Sequence, residues 1–221
     1  MNGPRLPRLL GDPDASLLRP VAGIDEAGRG PLAGPVTAAA VVAPDGWSLS
    51  GLDDSKKLTE ERRDRLAVQI RSDPGILWAV GWASVEEIDA MNILQATFLA
   101  MRRALDGLAT APSSVAVDGN RRISGVDLPQ LPVVEGDGKI TSIAAASILA
   151  KTARDAWMIR SDLLHPGFGF AVHKGYPTPS HLEALERLGP SPVHRRTFAP
   201  VRRCIERARS PIGMASEIGA S

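Results

Sequence analysis

Two rhythms of apolar and polar positions alternate along the chain. Residues 21–25 and 35–42 are dense apolar runs of strand length. The Gly- and Pro-rich stretch 27–34 joins them as a turn. Thr59 reads as a helix cap, with Glu60 and Glu61 in the first turn, and opens a helix to about Arg71. Residues 76–83, apolar with two tryptophans, predict a third strand. Ser84-Val85-Glu86-Glu87 has the spacing of a capping box and starts a short helix. Leu94, Phe98, Met101, Leu105 and Leu108 recur at helical intervals, one face of a longer helix. Residues 114–117 predict a fourth strand ending at Asp118, and 131–134 a fifth. Residues 141–158 predict a helix whose Ala144, Ala145 and Ala146 suit close packing. Beyond it, a segment rich in Gly, Pro and His carries short helices near 180–188 and 200–208. A hairpin-like start followed by βα alternation predicts an α/β fold on a mixed sheet.

Length adds the domain organisation. At 221 residues the chain can bury a sizeable core without a disulfide or a structural metal. Residues 1–19 show no periodicity and read as a loose arm; residues 210–221 are small and polar and read as a flexible tail. The remaining 20–209 are expected to form one domain, its C-terminal part basic and helical. No apolar run reaches the roughly 18 residues of a membrane span, and the first 20 residues lack an apolar signal core. The single cysteine, Cys204, excludes an internal disulfide and points to a reducing compartment, hence a cytoplasmic protein. Cys204 itself reads as a packed thiol in an Arg-rich helix.

A net charge of +1 hides an asymmetry. Residues 1–150 hold 15 Lys and Arg against 19 Asp and Glu, whereas residues 151–209 hold 11 against 5. An acidic site beside a polyanion-binding surface would have this balance. The acids are also placed unevenly. Asp25 and Glu26 stand where the first strand runs into the glycine-rich turn, Asp118 ends the fourth strand, and Asp137 follows the fifth, between Gly136 and Gly138. A bend at the end of the first strand would let Asp25 and Glu26 approach one point. Carboxylates gathered at strand ends require cations, and hard oxygen donors suit Mg²⁺ or Mn²⁺. Two such ions are a standard device for phosphoryl hydrolysis.

Rival chemistry is weaker. Gly28-Arg29-Gly30-Pro31-Leu32-Ala33 matches a dinucleotide-binding fingerprint, but a strand-like run follows it where that fingerprint needs a helix. His165, His173, His181 and His194 are too irregularly spaced for a zinc site. Tyr176, the lone tyrosine, follows His173-Lys174-Gly175 and could stack on a sugar or base. Ser147, Lys151 and Asp155 share one helix face. Asp155 would lie about 20 Å along the 141–158 helix, so Asp137 is the better fourth site carboxylate.

These residues together resemble a family. The fourteen residues 23–36, GIDEAGRGPLAGPV, resemble the first motif of bacterial ribonuclease HII. DSKKL at 54–58, NILQA at 92–96, VDGN at 117–120, IAAASILAK at 143–151, HKGYPT at 173–178 and HRR at 194–196 follow in the family's order. The resemblance implies a ribonuclease H-like fold: a mixed five-stranded sheet flanked by helices, with a C-terminal helical part. It implies an endonuclease that cuts the RNA strand of RNA–DNA hybrids and cuts 5′ of single ribonucleotides in duplex DNA, leaving 3′-hydroxyl and 5′-phosphate ends. Asp25, Glu26, Asp118 and Asp137 would be the catalytic and Mn²⁺- or Mg²⁺-binding carboxylates. Gly28, Arg29 and Gly30 would track the backbone at the ribonucleotide, and Tyr176 would pack on the deoxyribose that follows. Ser55, Lys56 and Lys151 would lie near the substrate. The family usually has lysine where this chain has Glu135, and serine where it has Thr197. The tail carries no glutamine-led clamp-binding motif, so a sliding clamp is unsupported; the enzyme is expected to act as a monomer without a membrane.

Overall fold

The computed structural model describes residues 17–52 and 58–209. Most of the N-terminal arm, the 210–221 tail, and Ser55 and Lys56 lie outside the described residues. Five strands form one sheet: β1 (Val21–Ala27), β2 (Val36–Val42), β3 (Leu77–Ala83), β4 (Ser114–Asp118) and β5 (Gln130–Val133), in the order β3-β2-β1-β4-β5. The β1/β2 and β2/β3 pairs are antiparallel, and the β1/β4 and β4/β5 pairs are parallel. The sheet is therefore mixed, as the order of strands and helices predicts.

Helices cover both faces. Those before β4 are α1 (Glu60–Ser72), α2 (Val85–Met91) and α3 (Ile93–Asp106); after β5 come α4 (Thr141–Leu164), α5 (Phe170–His173), α6 (Pro179–Leu188) and α7 (Ala199–Arg209). Strand alternation decides what each face packs against. Ala22 and Ile24 of β1, with Ala38 and Ala40 of β2, meet Phe98, Met101 and Leu105 of α3. Ala39 and Val41 of β2 point the other way, onto Leu66 and Ile70 of α1 and Ala145, Ile148 and Leu149 of α4. The small side chains of Ala144, Ala145 and Ala146 are almost fully buried. The capping signals form as written in the sequence. Thr59 Oγ1 accepts from the Arg62 N–H at 3.3 Å. Ser84 and Glu87 exchange hydrogen bonds of 2.8 and 3.2 Å in a complete capping box.

Three elements differ from their sequence reading. β1 does not bend at Asp25 but continues in register through Ala27, pairing Glu26 with Ala38 and Ala27 with Thr37. α4 runs on to Leu164 rather than Met158. Its last turn hides in the sequence because Leu163 and Leu164 face solvent, so the apolar period fades before the helix ends; Pro166 then follows the C-cap His165. The short helix α5 falls in a segment read as loop. Among the described residues, no helix is long and apolar enough to cross a membrane.

Candidate active site

Parallel pairing sets the position of the carboxylates. Ile24 of β1 is the register partner of Val117 of β4. The next residues on the two strands are Asp25 and Asp118, so the acids emerge together where the parallel pairing stops. A crevice outside the carboxyl ends of parallel strands is where open α/β sheets bind ligands. Here it is a cleft of about 440 Å³ lined by Asp25, Glu26, Asp118 and Asp137. Gly28, Arg29, Gly30, Arg63, Ser147, Lys151 and Tyr176 complete the lining. All four predicted carboxylates thus reach one cleft, although Asp25 and Glu26 are consecutive residues of a regular strand. They share it because β4 stops at Asp118 while β1 runs on beside the cleft.

Each acid is held differently. Asp25, nearly buried, accepts from the Glu26 N–H at 2.7 Å and bonds Ser147 of α4. Burial, followed by the charges of Glu26 and Asp118, pushes its carboxyl well above the usual carboxylate range. Burial raises Glu26 as well, and Arg29, 3.0 Å away, pulls it back. Asp118 Oδ1 accepts from the Gly136 N–H at 2.7 Å, tying β4 to the 3-10 turn Gly136–Gly138 that carries Asp137. Glycine leaves room there, since a Cβ at 136 would crowd Ile143 Cδ1 at 2.7 Å and stand 3.2 Å from Asp118 Oδ1. Three of these acids strain against each other's charge, a situation that cations relieve.

The donor set suits divalent cations: four carboxylates and no soft ligand. Among the described residues, no three His, Cys, Asp or Glu side chains converge on one point as a finished cage. Mg²⁺ is not held in such cages; it keeps several waters and binds one or two carboxylates together with substrate phosphate. The residues present therefore fit the ions that their chemistry implies.

The glycine-rich turn opens no helix. It leads directly into β2, which removes the dinucleotide reading. Gly28 has φ +95°, and a Cβ there would lie 2.1 Å from Arg154 Nε. Two fully buried arginines brace the turn. Arg195 donates to the carbonyls of Gly28 (2.6 Å), Arg29 (3.0 Å), Pro31 (2.8 Å), Gly34 (2.9 Å) and Pro35 (3.2 Å). Arg154 donates to Ala33, Pro35 and Lys174. Burial lowers both, Arg154 to about 10 and Arg195 to about 9, so both stay charged at neutral pH. Their five-donor guanidinium forks can satisfy several carbonyls at once, which no other side chain can. Composition marks neither, because 21 of the chain's 26 cationic residues are arginine, although Arg195 falls in the HRR motif at 194–196.

Tyr176 stands beside this turn and is 41% exposed. Its Cε1 would be 3.7 Å from a Cβ at Gly30, and Lys151 Nζ and Arg154 Cζ lie 5.8 and 6.0 Å from the ring centroid. Lys151 is therefore in the cleft, held by a 2.7 Å bond to Asp155; burial lowers its pKa, and that bond opposes the shift. Arg63 of α1 and Ser147 line the cleft too. Nothing in the sequence singles out Arg63, since it sits in an Arg-rich helix. Glu135 is exposed and outside the cleft lining. Thr197 Oγ1 donates to Asp89 at 2.6 Å, a bond for which a threonine hydroxyl serves as well as serine. Cys204 is packed, its thiol on the Leu185 carbonyl.

Asp155 lines no part of the cleft, whereas Asp137 does. Asp155→Asn is expected to cost under about tenfold in turnover, because an amide can still accept from Lys151. Asp137→Asn is expected to cost about 10²-fold or more. Steady-state turnover of the two variants compares them; the reverse ranking would make Asp155 the fourth site acid.

The family model for ribonuclease HII matches residues 22–201. A ribonuclease HII from Laribacter hongkongensis (strain HLHK9) is 57% identical over 188 residues, covering 85% of this chain and 94% of that protein. The crystal structure of ribonuclease H2 from Pyrococcus horikoshii OT3 matches with TM-score 0.70 and 27% identity, over 86% of this chain and 99% of that one. A chain from the PCNA:RNase HII complex of Archaeoglobus fulgidus matches with TM-score 0.62 and 30% identity, over 80% of this chain and 92% of that one. A family match over most of the chain and a relative this similar agree with a mixed sheet that gathers four carboxylates, and the chain accordingly belongs to the ribonuclease HII family, the type 2 ribonucleases H, endonucleases of RNA–DNA hybrids.

Proposed function

We propose that this enzyme uses Mg²⁺ or Mn²⁺ to cut RNA–DNA hybrids, and to cut on the 5′ side of a single ribonucleotide in duplex DNA. The observation that carries the reading is the junction of two features in one cleft: four carboxylates at the strand ends, and the braced Gly28-Arg29-Gly30 turn beside Tyr176. Asp25, Glu26, Asp118 and Asp137 would hold the cations. When bound, such ions neutralise phosphate charge and make a water nucleophilic near neutral pH.

This chain's own residues do the positioning. Ser147 and the Glu26 N–H keep the Asp25 carboxylate turned into the cleft, and the Gly136 N–H does the same for Asp118. Main-chain groups of the Gly28–Gly30 turn, which the Arg195 bonds fix in place, meet the ribose and its 2′-hydroxyl. Arg29 and Lys151 border the cleft as cations for the phosphodiester backbone. The Tyr176 ring is a platform for the sugar that follows. Water adds in line to phosphorus, the P–O3′ bond breaks, and the proton lost by water balances the one gained by the leaving 3′ oxygen. The ends are a 3′-hydroxyl and a 5′-phosphate. Acids, turn and tyrosine all come from one chain, which supports action as a monomer; the lone cysteine supports a cytoplasmic setting.

The test is incubation of a hybrid and of a DNA duplex with one ribonucleotide, in chelator, Mg²⁺ or Mn²⁺. Cleavage of both should vanish in chelator and return on adding either ion. Full activity in chelator would overturn the metal reading, and an uncut single-ribonucleotide duplex would overturn the substrate reading.

A further inference from the structure

Three histidines that the sequence scatters meet beneath the Tyr176 turn. The His173 and His181 rings stack with centroids 4.4 Å apart, and His181 Nε2 lies 3.0 Å from His194 Nε2. His181 and His194 have no exposed surface. Phe168 and Phe170 wall the cluster with their rings.

The donors around the rings dictate where each proton sits. The Ser191 N–H donates to His194 Nδ1 at 3.0 Å, so that nitrogen carries no proton. A neutral His194 then carries its proton on Nε2. That N–H donates to His181 Nε2, which must be bare. His181 therefore keeps its proton on Nδ1 and donates it to the Tyr176 carbonyl at 2.8 Å. The chain runs one way, from the Ser191 amide through two rings to the Tyr176 main chain. A charged ring would break it: His194 would set an N–H against the Ser191 N–H, or His181 an N–H against His194. Burial acts in the same sense, lowering His181 and bringing His194 down to about 3.

The turn that receives this bond needs holding. Lys174 and Gly175, just before Tyr176, have φ of 50° and 81°. A left-handed lysine is an uncommon conformation that its surroundings must impose. His173 grips the near side, accepting from the Gly175 N–H at 3.1 Å, while its carbonyl takes the Tyr176 N–H at 2.9 Å. His181 grips the far side, sharing the Tyr176 carbonyl with the Thr178 N–H.

We propose that the neutral His194–His181 pair is a hydrogen-bonded relay that positions Tyr176, with His181 as a positioning residue that touches no substrate. The proposal rests on reading Tyr176 as the platform for the substrate sugar, and it makes one N–H of His181 the side-chain hold on the Tyr176 carbonyl.

Two variants of the relay separate the donor from the bulk. His181→Asn keeps an N–H near the Nδ1 position, facing the Tyr176 carbonyl. His181→Gln keeps an acceptor near Nε2 for His194 but loses that donor. Thermal midpoints establish that both fold. Tyr176 is the lone tyrosine, so fluorotyrosine labelling gives one ¹⁹F resonance, read in free enzyme without substrate. His181→Gln should shift or broaden it, and should lower kcat/KM on the single-ribonucleotide duplex roughly fivefold, the worth of one neutral hydrogen bond. His181→Asn should keep the wild-type resonance and stay within about twofold in rate. ¹⁵N-histidine spectra should place protons on His194 Nε2 and His181 Nδ1 at pH 7.

Equal behaviour of the two variants would reduce His181 to packing and overturn the relay. So would an unmoved resonance in His181→Gln, or a charged ring at 181 or 194. A resonance that moves in His181→Gln while its rate stays wild-type would support the relay and remove the platform reading of Tyr176, so the two ideas fail separately.

Discussion

Asp118→Asn is expected to remove at least about 10²–10³ of the turnover on an RNA–DNA hybrid while leaving duplex affinity close to wild-type. The substitution is nearly isosteric. An asparagine Oδ1 can still accept from the Gly136 N–H, now 2.7 Å from the Asp118 carboxylate, so the link between β4 and the Asp137 turn survives. What is lost is one negative charge beside Asp25 and Glu26, both of which feel it. Losing that charge weakens cation binding, and with it the neutralisation of phosphate in the transition state. Affinity responds differently, because cationic contacts to the phosphate backbone supply most of it. In chelator, the variant should bind as tightly as wild-type or tighter, since one repelling charge has gone. Single-turnover rates and fluorescence anisotropy in chelator measure the two effects separately. Retention of more than about a tenth of the wild-type rate would rule out a direct metal role for Asp118.

The acids were legible because each sits at the end of an apolar run beside glycine, and parallel strands deliver their C-terminal ends to one side of a sheet. Even so, the sequence misplaced the reason. It called for a bend at Asp25, whereas β1 stays regular through Ala27 and β4 simply stops beside it at Asp118. Register is a long-range property, so no local pattern reveals that Val117 pairs with Ile24. The bracing of the turn was illegible for a different reason. Arg154 looks like any other arginine, and the HRR motif names Arg195 without its role; both are buried, and their carbonyl partners lie from 119 to 167 residues away, Lys174 of α5's C-cap excepted. The histidines show the same limit. Irregular spacing argued against zinc, and the structure does unite three of them, but as a hydrogen-bonded pair, His181 and His194, with His173 stacked on His181. Helix α1, β2 and the capping box at Ser84 were legible almost to the residue, since their signals are local: a cap, a run of β-branched and small residues, a reciprocal pair of hydrogen bonds.

A DNA duplex carrying one ribonucleotide should be cut on the 5′ side of that ribonucleotide, and the all-DNA duplex of the same sequence should be cut about 10⁴–10⁵-fold more slowly. Discrimination of that size comes from buried polar groups that expect a hydroxyl and are left unpaired without it. The Gly28–Gly30 main chain, exposed at Arg29 and Gly30 until a substrate covers it, can act as such a group because it cannot retreat. Five Arg195 bonds and three from Arg154 hold the turn and its neighbours. On the proposed reading, Tyr176 extends this by one sugar. Its exposed ring borders Gly30 and lies within about 6 Å of two cations, which favour a π face. Tyr176→Ala should therefore cost about tenfold or more on the single-ribonucleotide duplex, the worth of one stacked ring. On a long hybrid, where the next sugar is a ribose, it should cost several-fold less. Tyr176→Phe should be mild on both, because stacking needs the ring more than the hydroxyl. One gel series with three enzymes and three duplexes reads all of this. Equal losses on both substrates would make Tyr176 a residue of the fold, and efficient cutting of the all-DNA duplex would end the idea that the turn reads a 2′-hydroxyl.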